Sequence, residues 1–334
     1  NFALTYTKNK KNYDDLLSIA YKKMPNMSIY EQDPLTGADT GKYYTMLQTA
    51  SSVFKDDQMQ YVNPVASAKL AKFDDRTYDI TPELELNYRL LGMDDKSWQL
   101  NWQGRVYMNI FNEYVDRFYP NELVTVPWTS GVNLASSSNT KSVAFNTKQT
   151  LTLIPHFNNE DHSLMAMGRF ELTSGSSNGQ SSDASGLPAG GITSPDVGGL
   201  ITGVSSSFSQ WRSMFYTFSM HYAYKSRYMF DFSVRADGTT KFGPDRRWGY
   251  FPAVSLRWNI VDEPWMEKTH SWLSMLSLRP SWGKVGNQPN DEYLYQSKYV
   301  STNKYYDMPA MRPSTIKLSD LRWETTSSYN VGMD

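Results

Sequence analysis

The sequence predicts an all-β fold: an antiparallel transmembrane β-barrel, partial, with about ten strands present and long extracellular loops containing short helices. Three observations predict it. Period-two alternation recurs along the chain, several strands run longer than a sandwich needs, and the connections alternate long and short.

The clearest strand is "SWQLNWQGRVYMNI". Trp98, Leu100, Trp102, Val106, Met108 and Ile110 share one face, and Gln99, Asn101, Gln103, Arg105 and Asn109 the other. "ELELNYRL" sets Leu84, Leu86, Tyr88 and Leu90 against Glu83, Glu85, Asn87 and Arg89. "YMFDFSVR" sets Tyr228, Phe230, Phe232 and Val234 against Asp231, Ser233 and Arg235, and "AVSLRWNI" sets Val254, Leu256, Trp258 and Ile260 against Ser255, Arg257 and Asn259. Weaker alternation covers 148–156, 163–173, 207–224, 274–285 and the two chain ends. In a sandwich the oily face is core and the polar face meets water. In a membrane barrel the oily face meets lipid and the polar face lines the lumen, with about 9 to 11 tilted residues per crossing.

The connections separate these options. On this reading they run long at 9–80, short at 91–97, long at 113–147, short at 157–162, long at 174–206 and short at 225–227. The next two, 237–249 and 261–273, tie in length, and 286–324 is long again. Long extracellular loops alternating with tight periplasmic turns mark an outer-membrane barrel, and a sandwich has no reason for the pattern. By parity, 237–249 lies outside. Trp98, Tyr228 and Trp258 mark the periplasmic aromatic belt, and Tyr250 and Phe251 the outer one.

The loops differ in kind. Residues 174–206 are Gly/Ser-rich and read as flexible linker. Residues 13–23 and 63–72 read as short helices, the second entered through Pro64 with Asn63 as cap. In "ADGTTKFGPDRRWGYFP", Asp237 and Gly238 start a turn that Gly243 and Pro244 redirect. Lys241, Asp245, Arg246 and Arg247 are solvated rim charges, and Trp248, Tyr250 and Phe251 descend into the outer belt.

Composition narrows function. The 334 residues carry a formal net charge of -1 with both signs interspersed, which gives no general pull toward nucleic acid. The chain combines 23 Tyr, 15 Phe and 10 Trp with a mean hydropathy of -0.57, so it has apolar surface without the runs of about 20 residues that a membrane helix needs. The absence of cysteine removes disulfides and thiolate sites. The start lacks the pattern of a signal peptide, and both ends look cut inside alternating segments, as in the interior of a longer barrel domain.

Enzyme constellations are thin. His156, His162, His221 and His270 have no partner at metal-ligand spacing, and neither a nucleophile elbow nor a phosphate loop occurs. "DPLTGAD" at 33–39 is a weak likeness of a calcium loop, without its ligand count or closing Glu. Glu83 and Glu85 point the same way along a wall with no facing carboxylate, so no glycosidase pair forms. The reading is therefore not an enzyme, with no cofactor and no metal. One pattern stands out. Arg89, Arg105, Arg169, Arg235, Arg257 and Arg279 all fall on the polar parity of their strands, with Glu83, Glu85, Glu171 and Asp231 beside them. They either pair among themselves to satisfy a polar interior or grip a plug domain or an anionic solute in the lumen.

Several segments carry a family resemblance: "VRADGTTKFGPDRRWGYFPAVSLRWNI", "EPWM" at 263–266, "LSMLSLRPSWGKVGNQPNDEY", "LRWETTSSYNVGMD", "MPNMSIYEQDPLTG" and "NPVASAKLAK". They resemble the C-terminal barrel portion of the SusC/RagA family of TonB-linked (TonB-dependent) outer-membrane transporters of Bacteroidetes. The chain departs from that family's usual pattern at Thr239 and Thr240, where two Ser are usual, and at Trp282, where Tyr is usual.

The resemblance implies a barrel of about 22 strands, closed by a plug, with the plug, the TonB box and the signal peptide not in this chain. It implies a SusD-like surface lipoprotein as lid, import of oligosaccharides or peptides, and energy from the TonB complex. The alternative is a passive porin or a structural outer-membrane barrel. Aromatic and amide residues of the long loops, Tyr119, Asn121, Trp128, Tyr305 and Tyr306, are candidate substrate contacts, since rings stack on sugar faces and amides bond hydroxyls.

Overall fold

The computed structural model describes residues 1–11, 16–23, 28–44, 62–92, 97–123, 133–188, 194–195, 198–306 and 308–334. In chain order these form β1 (Phe2–Lys11), α1 (Leu16–Lys22), β2 (Tyr30–Gln32), β3 (Asp39–Tyr43), α2 (Pro64–Leu70) and β4 (Lys72–Leu91). Then come β5 (Gln99–Tyr119), β6 (Leu134–Ile154), β7 (His162–Ser185), β8 (Leu200–Tyr224), β9 (Tyr228–Thr239) and β10 (Trp248–Asn259). The last are β11 (Ser277–Asn287), β12 (Lys298–Tyr305), β13 (Met308–Thr315) and β14 (Glu324–Met333). No helix among the described residues is long and apolar enough to cross a membrane.

The main sheet has ten strands in the order β1-β4-β5-β6-β7-β8-β9-β10-β11-β14, all neighbours antiparallel; β2–β3 and β12–β13 form two separate hairpins. Ten strands in a meander is the expected architecture. Directly opposed residues of an antiparallel pair share a face, so the register carries each face across the sheet. One face is apolar throughout, and Leu4, Ile80, Ile110, Val143, Leu172, Met214, Val234, Leu256, Trp282 and Tyr329 all lie on it. Its large side chains stay exposed, among them Leu84, Leu86, Leu151, Phe218 and Val331. Exposure of this extent across ten strands fits hydrocarbon and not water.

The apolar band ends in step on each strand. On that face Tyr6 gives way to Lys8, Tyr78 to Arg76, Ile110 to Asn112, Val143 to Lys141, Leu172 to Ser174 and Met214 to Arg212. Arg76 marks the edge. It donates to Asp116 at 2.7 Å, lies near Asp74, and stands over the Tyr114 ring at 5.8 Å. Tyr6, Tyr78 and Tyr114 pack in series just below, at ring separations of 4.9 and 6.4 Å. At the other end His162, Tyr222, Tyr224, Tyr228 and Trp258 form the opposite belt, with Tyr224 and Tyr228 stacked at 6.3 Å.

Prolines sit where the ladders skip. The β4–β5 pairing jumps from Ile80 to Glu83 at Pro82, and β10–β11 jumps from Ser255 to Trp258 opposite Pro280 and begins only after Pro252. A proline has no N–H to give, so each interruption has a local cause.

Several expectations change. The strands run past their predicted ends, so 72–80, 113–119, 134–147, 174–185 and 200–206 are strand and not loop. The supposed Gly/Ser linker is mostly the upper part of β7 and β8: serine there is short enough to pair across strands, as Ser142 does with Ser177 at 3.0 Å and Ser181 with Ser205 at 2.7 Å. β8, at 25 residues and about 3.3 Å per residue, reaches ~80 Å, far beyond the membrane band. The tied pair resolves against the length rule: 240–247, on the edge that carries the long loops by strand parity, is shorter than 260–276 on the opposite edge. Asp237 and Gly238 remain in β9, so the turn starts later than predicted.

The predicted helices form. α2 takes Asn63 as its cap, whose Oδ1 accepts from Val65 and Ala66 amides at 3.1 and 3.3 Å. Its Ala66 packs with Ala71 and Leu123, bringing Tyr119 against the cluster. α1 covers Leu16–Lys22, and residues 13–15 of the predicted helix lie outside the described residues. Asp33 closes the 33–39 turn on itself, accepting from the Leu35 and Thr36 amides at 2.7 and 3.2 Å, which holds its carboxyl below the usual range.

The 240–247 turn is fastened at Lys241, Phe242 and Arg247, while Asp245 and Arg246 are exposed as expected. Phe242 is fully buried against Trp323 at 5.0 Å, and Trp323 meets Phe251 edge-on at 5.4 Å and donates to the Arg247 carbonyl at 3.1 Å. Lys241 donates to the Pro289 and Asn290 carbonyls at 3.0 and 2.9 Å, so it is no free rim charge. Phe251 belongs to the polar face and leaves the outer belt to Trp248 and Tyr250, because period two turns it inward.

The ring of Phe251 lies over two glycines. A Cβ on Gly249 would meet Phe251 Cζ at 2.6 Å, and one on Gly286 would overlap the same ring. In the full-length receptor Gly286→Ala is expected to cost ~1–3 kcal/mol by overpacking. The measurement is the temperature at which the compact band of unheated protein in detergent gels is lost. Gly168→Ala, whose Cβ meets open space, should leave that temperature unchanged.

Candidate functional site on the polar face

The second face of the sheet carries the chemistry. All six predicted arginines fall on it, each placed by strand parity and confirmed by its cross-strand partner: Arg89 opposite Asn101, Arg105 opposite Lys148, Arg169 opposite Thr217, Arg235 opposite Phe251, Arg257 opposite Met229 and Arg279 opposite Gly332. Three are neutralised. Arg105 pairs with Glu83, Arg235 with Asp237 at 2.5 Å, and Arg279 with Asp334 at 2.5 Å. The other three bond neutral acceptors: Arg89 the Gly92 carbonyl at 3.4 Å, Arg169 the Thr150 hydroxyl at 3.4 Å, and Arg257 the Asn259 amide oxygen at 3.0 Å. Among the described residues, no carboxylate lies within ion-pair distance of these three. Half of the pattern is therefore internal pairing, and half is positive charge left on the surface.

The acids follow the same order. Glu85 accepts from Gln103 at 2.9 Å, Glu171 from Asn146 at 2.9 Å, and Asp231 meets His221 at 2.6 Å. The His221–Asp231 pair borders a recess of about 430 Å³ whose floor is made of short side chains, including Ser219, Ser233, Ser255 and Ser281. Small residues on four neighbouring strands leave the face open to whatever packs on it.

A second recess, about 640 Å³, lies at the outer rim between Gly243–Arg246 and the 295–297 and 317–320 segments. The Tyr295 ring lies over Gly243, and Asp245, Arg246, Gln296, Lys317 and Asp320 line the rest. An aromatic plane beside amide and charged groups suits a polar solute.

The predicted loop contacts divide. Tyr119 and Asn121 come together beside α2, with the Asn121 amide donating to Asn133 Oδ1 at 2.9 Å. Tyr306 sits at the tip of the β12–β13 hairpin, exposed and with φ of 47°. The side chain of Tyr305 and the whole of Trp128 lie outside the described residues. Sequence reading missed Tyr295, Gln296 and Glu263. The first two carry no local pattern, but Glu263 stood in the quoted "EPWM".

Glu263 anchors the 260–276 segment to the inner belt. Almost fully buried, it accepts from the Tyr228 hydroxyl at 2.5 Å and the Trp258 indole at 2.9 Å and pairs with Arg227 at 3.2 Å. The Tyr228 hydrogen bond, then the indole and the nearby guanidinium, hold its carboxyl below the usual glutamate range. A depressed carboxyl stabilises above its ordinary pKa and stops doing so as pH falls through the lowered value. Glu263→Gln is therefore expected to lower the exchange protection of the 260–276 amides at neutral pH, a loss that the parent shows only below the ordinary glutamate range. Equal exchange at neutral pH would remove the anchoring role.

A meander with one hydrocarbon-facing band, aromatic belts at both boundaries and a charge-paired opposite face defines the wall of a transmembrane β-barrel. The profile of the family described as "TonB dependent receptor-like, beta-barrel" matches residues 17–334, and the chain belongs to that family, with a place in the outer membrane. It is 36% identical over 123 residues to the TonB-dependent receptor SusC of Bacteroides thetaiotaomicron, a match covering 34% of this chain and 12% of that receptor. It is 35% identical over 113 residues to the TonB-dependent receptor P39 of Formosa agariphila, covering 34% of this chain and 11% of that receptor. Among solved structures, the RagAB peptide importer in its closed-closed state superposes with a TM-score of 0.63 at 21% identity, over 81% of this chain and 29% of that one. The RagAB peptide transporter gives 0.60 at 21%, over 82% and 29%. The matched segments are thus a small part of each curated relative.

Proposed function

We propose that this chain forms part of the wall of an active outer-membrane transporter. It imports oligosaccharides or peptides beneath a SusD-like lipoprotein lid and draws its energy from the TonB complex. The observation that carries the reading is the division of the polar face: Arg105, Arg235 and Arg279 are spent on internal pairs, while Arg89, Arg169 and Arg257 bond only neutral acceptors. A wall that only had to satisfy itself would pair its arginines evenly. This one holds cation donors ready for a second body, and Arg forks suit carboxylates and carbonyls on a plug's surface.

In this reading the polar face is the lumen. The plug rests against the recess at His221 and Asp231, cargo enters past the rim groove at Tyr295 and Gln296, and no covalent step occurs. Tyr119, Asn121, Trp128, Tyr305 and Tyr306 remain candidate contacts on the loops above.

Energy dependence tests it. Uptake of the cargo by cells carrying the full-length receptor should stop when the TonB complex is deleted, whereas a passive porin would keep conducting. Arg169→Ala with Arg257→Ala is expected to leave the compact gel band in place and to lower uptake several-fold by weakening plug seating. Unchanged uptake would assign both arginines to the wall alone.

A further inference from the structure

The 260–276 segment between β10 and β11 carries the two most exposed tryptophans among the described residues, Trp265 at 64% and Trp272 at 74%. The segment is nonetheless folded. The Ile260 and Val261 amides both donate to the Leu276 carbonyl, at 2.8 and 3.2 Å, and His270 Nε2 donates to the Val261 carbonyl at 2.8 Å. Trp265 sits in a short 3-10 helix, Pro264–Thr269, where three residues per turn align Met266 with Thr269, Pro264 with Glu267 and Trp265 with Lys268. Met266 and Thr269 are half-buried, and the other two rows are exposed. Neither tryptophan, then, packs into its own segment.

Glu263 fixes the side of the wall on which the segment lies. Among the described residues, every side-chain hydrogen bond from 261–275 to the rest of the wall is made by its carboxylate, to Arg227, Tyr228 and Trp258. Tyr228 and Trp258 project from the apolar face, so Glu263 reaches round the end of β10 to the lipid side and holds the start of the segment there. At that level the register runs in one row, Tyr224, Tyr228, Trp258, Leu278 and Met333, across β8, β9, β10, β11 and β14. Three aromatics give way to two aliphatic side chains. The inner belt is therefore open at β11, the strand into which the segment leads.

We infer that Trp265 and Trp272 complete the belt, and that the 260–276 segment rests in the phospholipid leaflet beside β10 and β11 instead of hanging in water. Its surface continues the apolar band, because the indole of Trp258 is bonded to Glu263, two residues ahead of Trp265. An indole has an apolar body and one N–H, which suits the boundary between acyl chains and headgroups. Lys268, in line with Trp265, has the reach to bring its ammonium to lipid phosphates from there. A soluble protein partner would need the same tryptophans in water, and is the competing outcome of the test. The inference does not depend on the lid, the plug or the cargo.

The test uses the full-length receptor in vesicles of phosphatidylethanolamine and phosphatidylglycerol, with a spin label on Trp265→Cys or Trp272→Cys. The 334 residues bring no cysteine of their own to compete. A label on Asp245→Cys, in the exposed part of the 240–247 turn, is the aqueous reference. Labels at 265 and 272 are expected to collide several-fold more with dissolved oxygen, which concentrates in lipid, than with a water-soluble nickel chelate, and the reference to show the reverse. Because a label replaces the indole, a second measurement keeps it. Lipids brominated near the headgroup end of their chains should quench a larger share of tryptophan emission in the parent than in Trp265→Phe with Trp272→Phe, a variant that keeps the compact gel band. Chelate-dominated collision at either position, or an equal quenched share in parent and variant, places the tryptophans in water, where a soluble protein would be their cover, and overturns the inference.

Discussion

Inside hydrocarbon, a peptide group without a hydrogen-bond partner costs several kcal/mol, and the whole arrangement follows from that. Strands of the main sheet must therefore be paired in the apolar band, and each has a neighbour on both sides except β1 and β14. The meander needs no long crossover in the membrane, the strands slip in register as a tilted wall requires, and the steps missing at Pro82 and Pro280 each have an imino nitrogen as cause. Side chains then sort by exposure to two solvents. Leu, Val and Phe meet lipid, while Arg, Glu, Asn and Ser satisfy one another on the far side.

The outer turn shows how such a wall is locked at its rim. Phe242, Phe251 and Trp323 come from a turn, a strand and the approach to the last strand, and they meet only because Gly249 and Gly286 leave room for the Phe251 ring. The residues that look like a charged loop in sequence are a scaffold around this cluster. Lys241 and Arg247 act there through what they hold: the first grips two carbonyls of the 288–297 segment, and the second offers its own carbonyl to the indole.

Much of this was legible in the chain. Alternation placed the six arginines on one face, since parity within a strand needs no tertiary knowledge. It also found the strand cores and the ten strands of the main sheet, and the Asn-Pro pair at 63–64 marked the Asn63 cap. Strand ends were not legible, because Ser, Gly and Asn in 174–185 and 200–207 carry little β-propensity and owe their extension to cross-strand hydroxyl pairs. Phe251 was misplaced for a different reason: a run of three aromatics near a strand end reads as a belt unless parity is applied to each. The division of the arginines into paired and unpaired was only partly within reach: Asp334 meets Arg279 through cross-strand register, whereas Asp237, two residues from Arg235 on one face of β9, was missed because it was assigned to the turn. The rim groove depends on segments far apart in sequence, which no local pattern links.

The pairing of β11 with β14 also bears on assembly. Each earlier strand of the sheet from β4 to β11 can zip onto the one just made, a local search that closes short loops cheaply. β14 has to wait for the whole of 288–323, including the β12–β13 hairpin, before Trp282 finds Tyr329. That is the longest closure between neighbours from β4 to β14, and Trp323, one residue ahead of the strand, latches it onto Phe242 and Phe251 of the β9–β10 hairpin. The register of β14 on β11 is thus held at its outer end by the seat of Trp323 against Phe242 and Phe251.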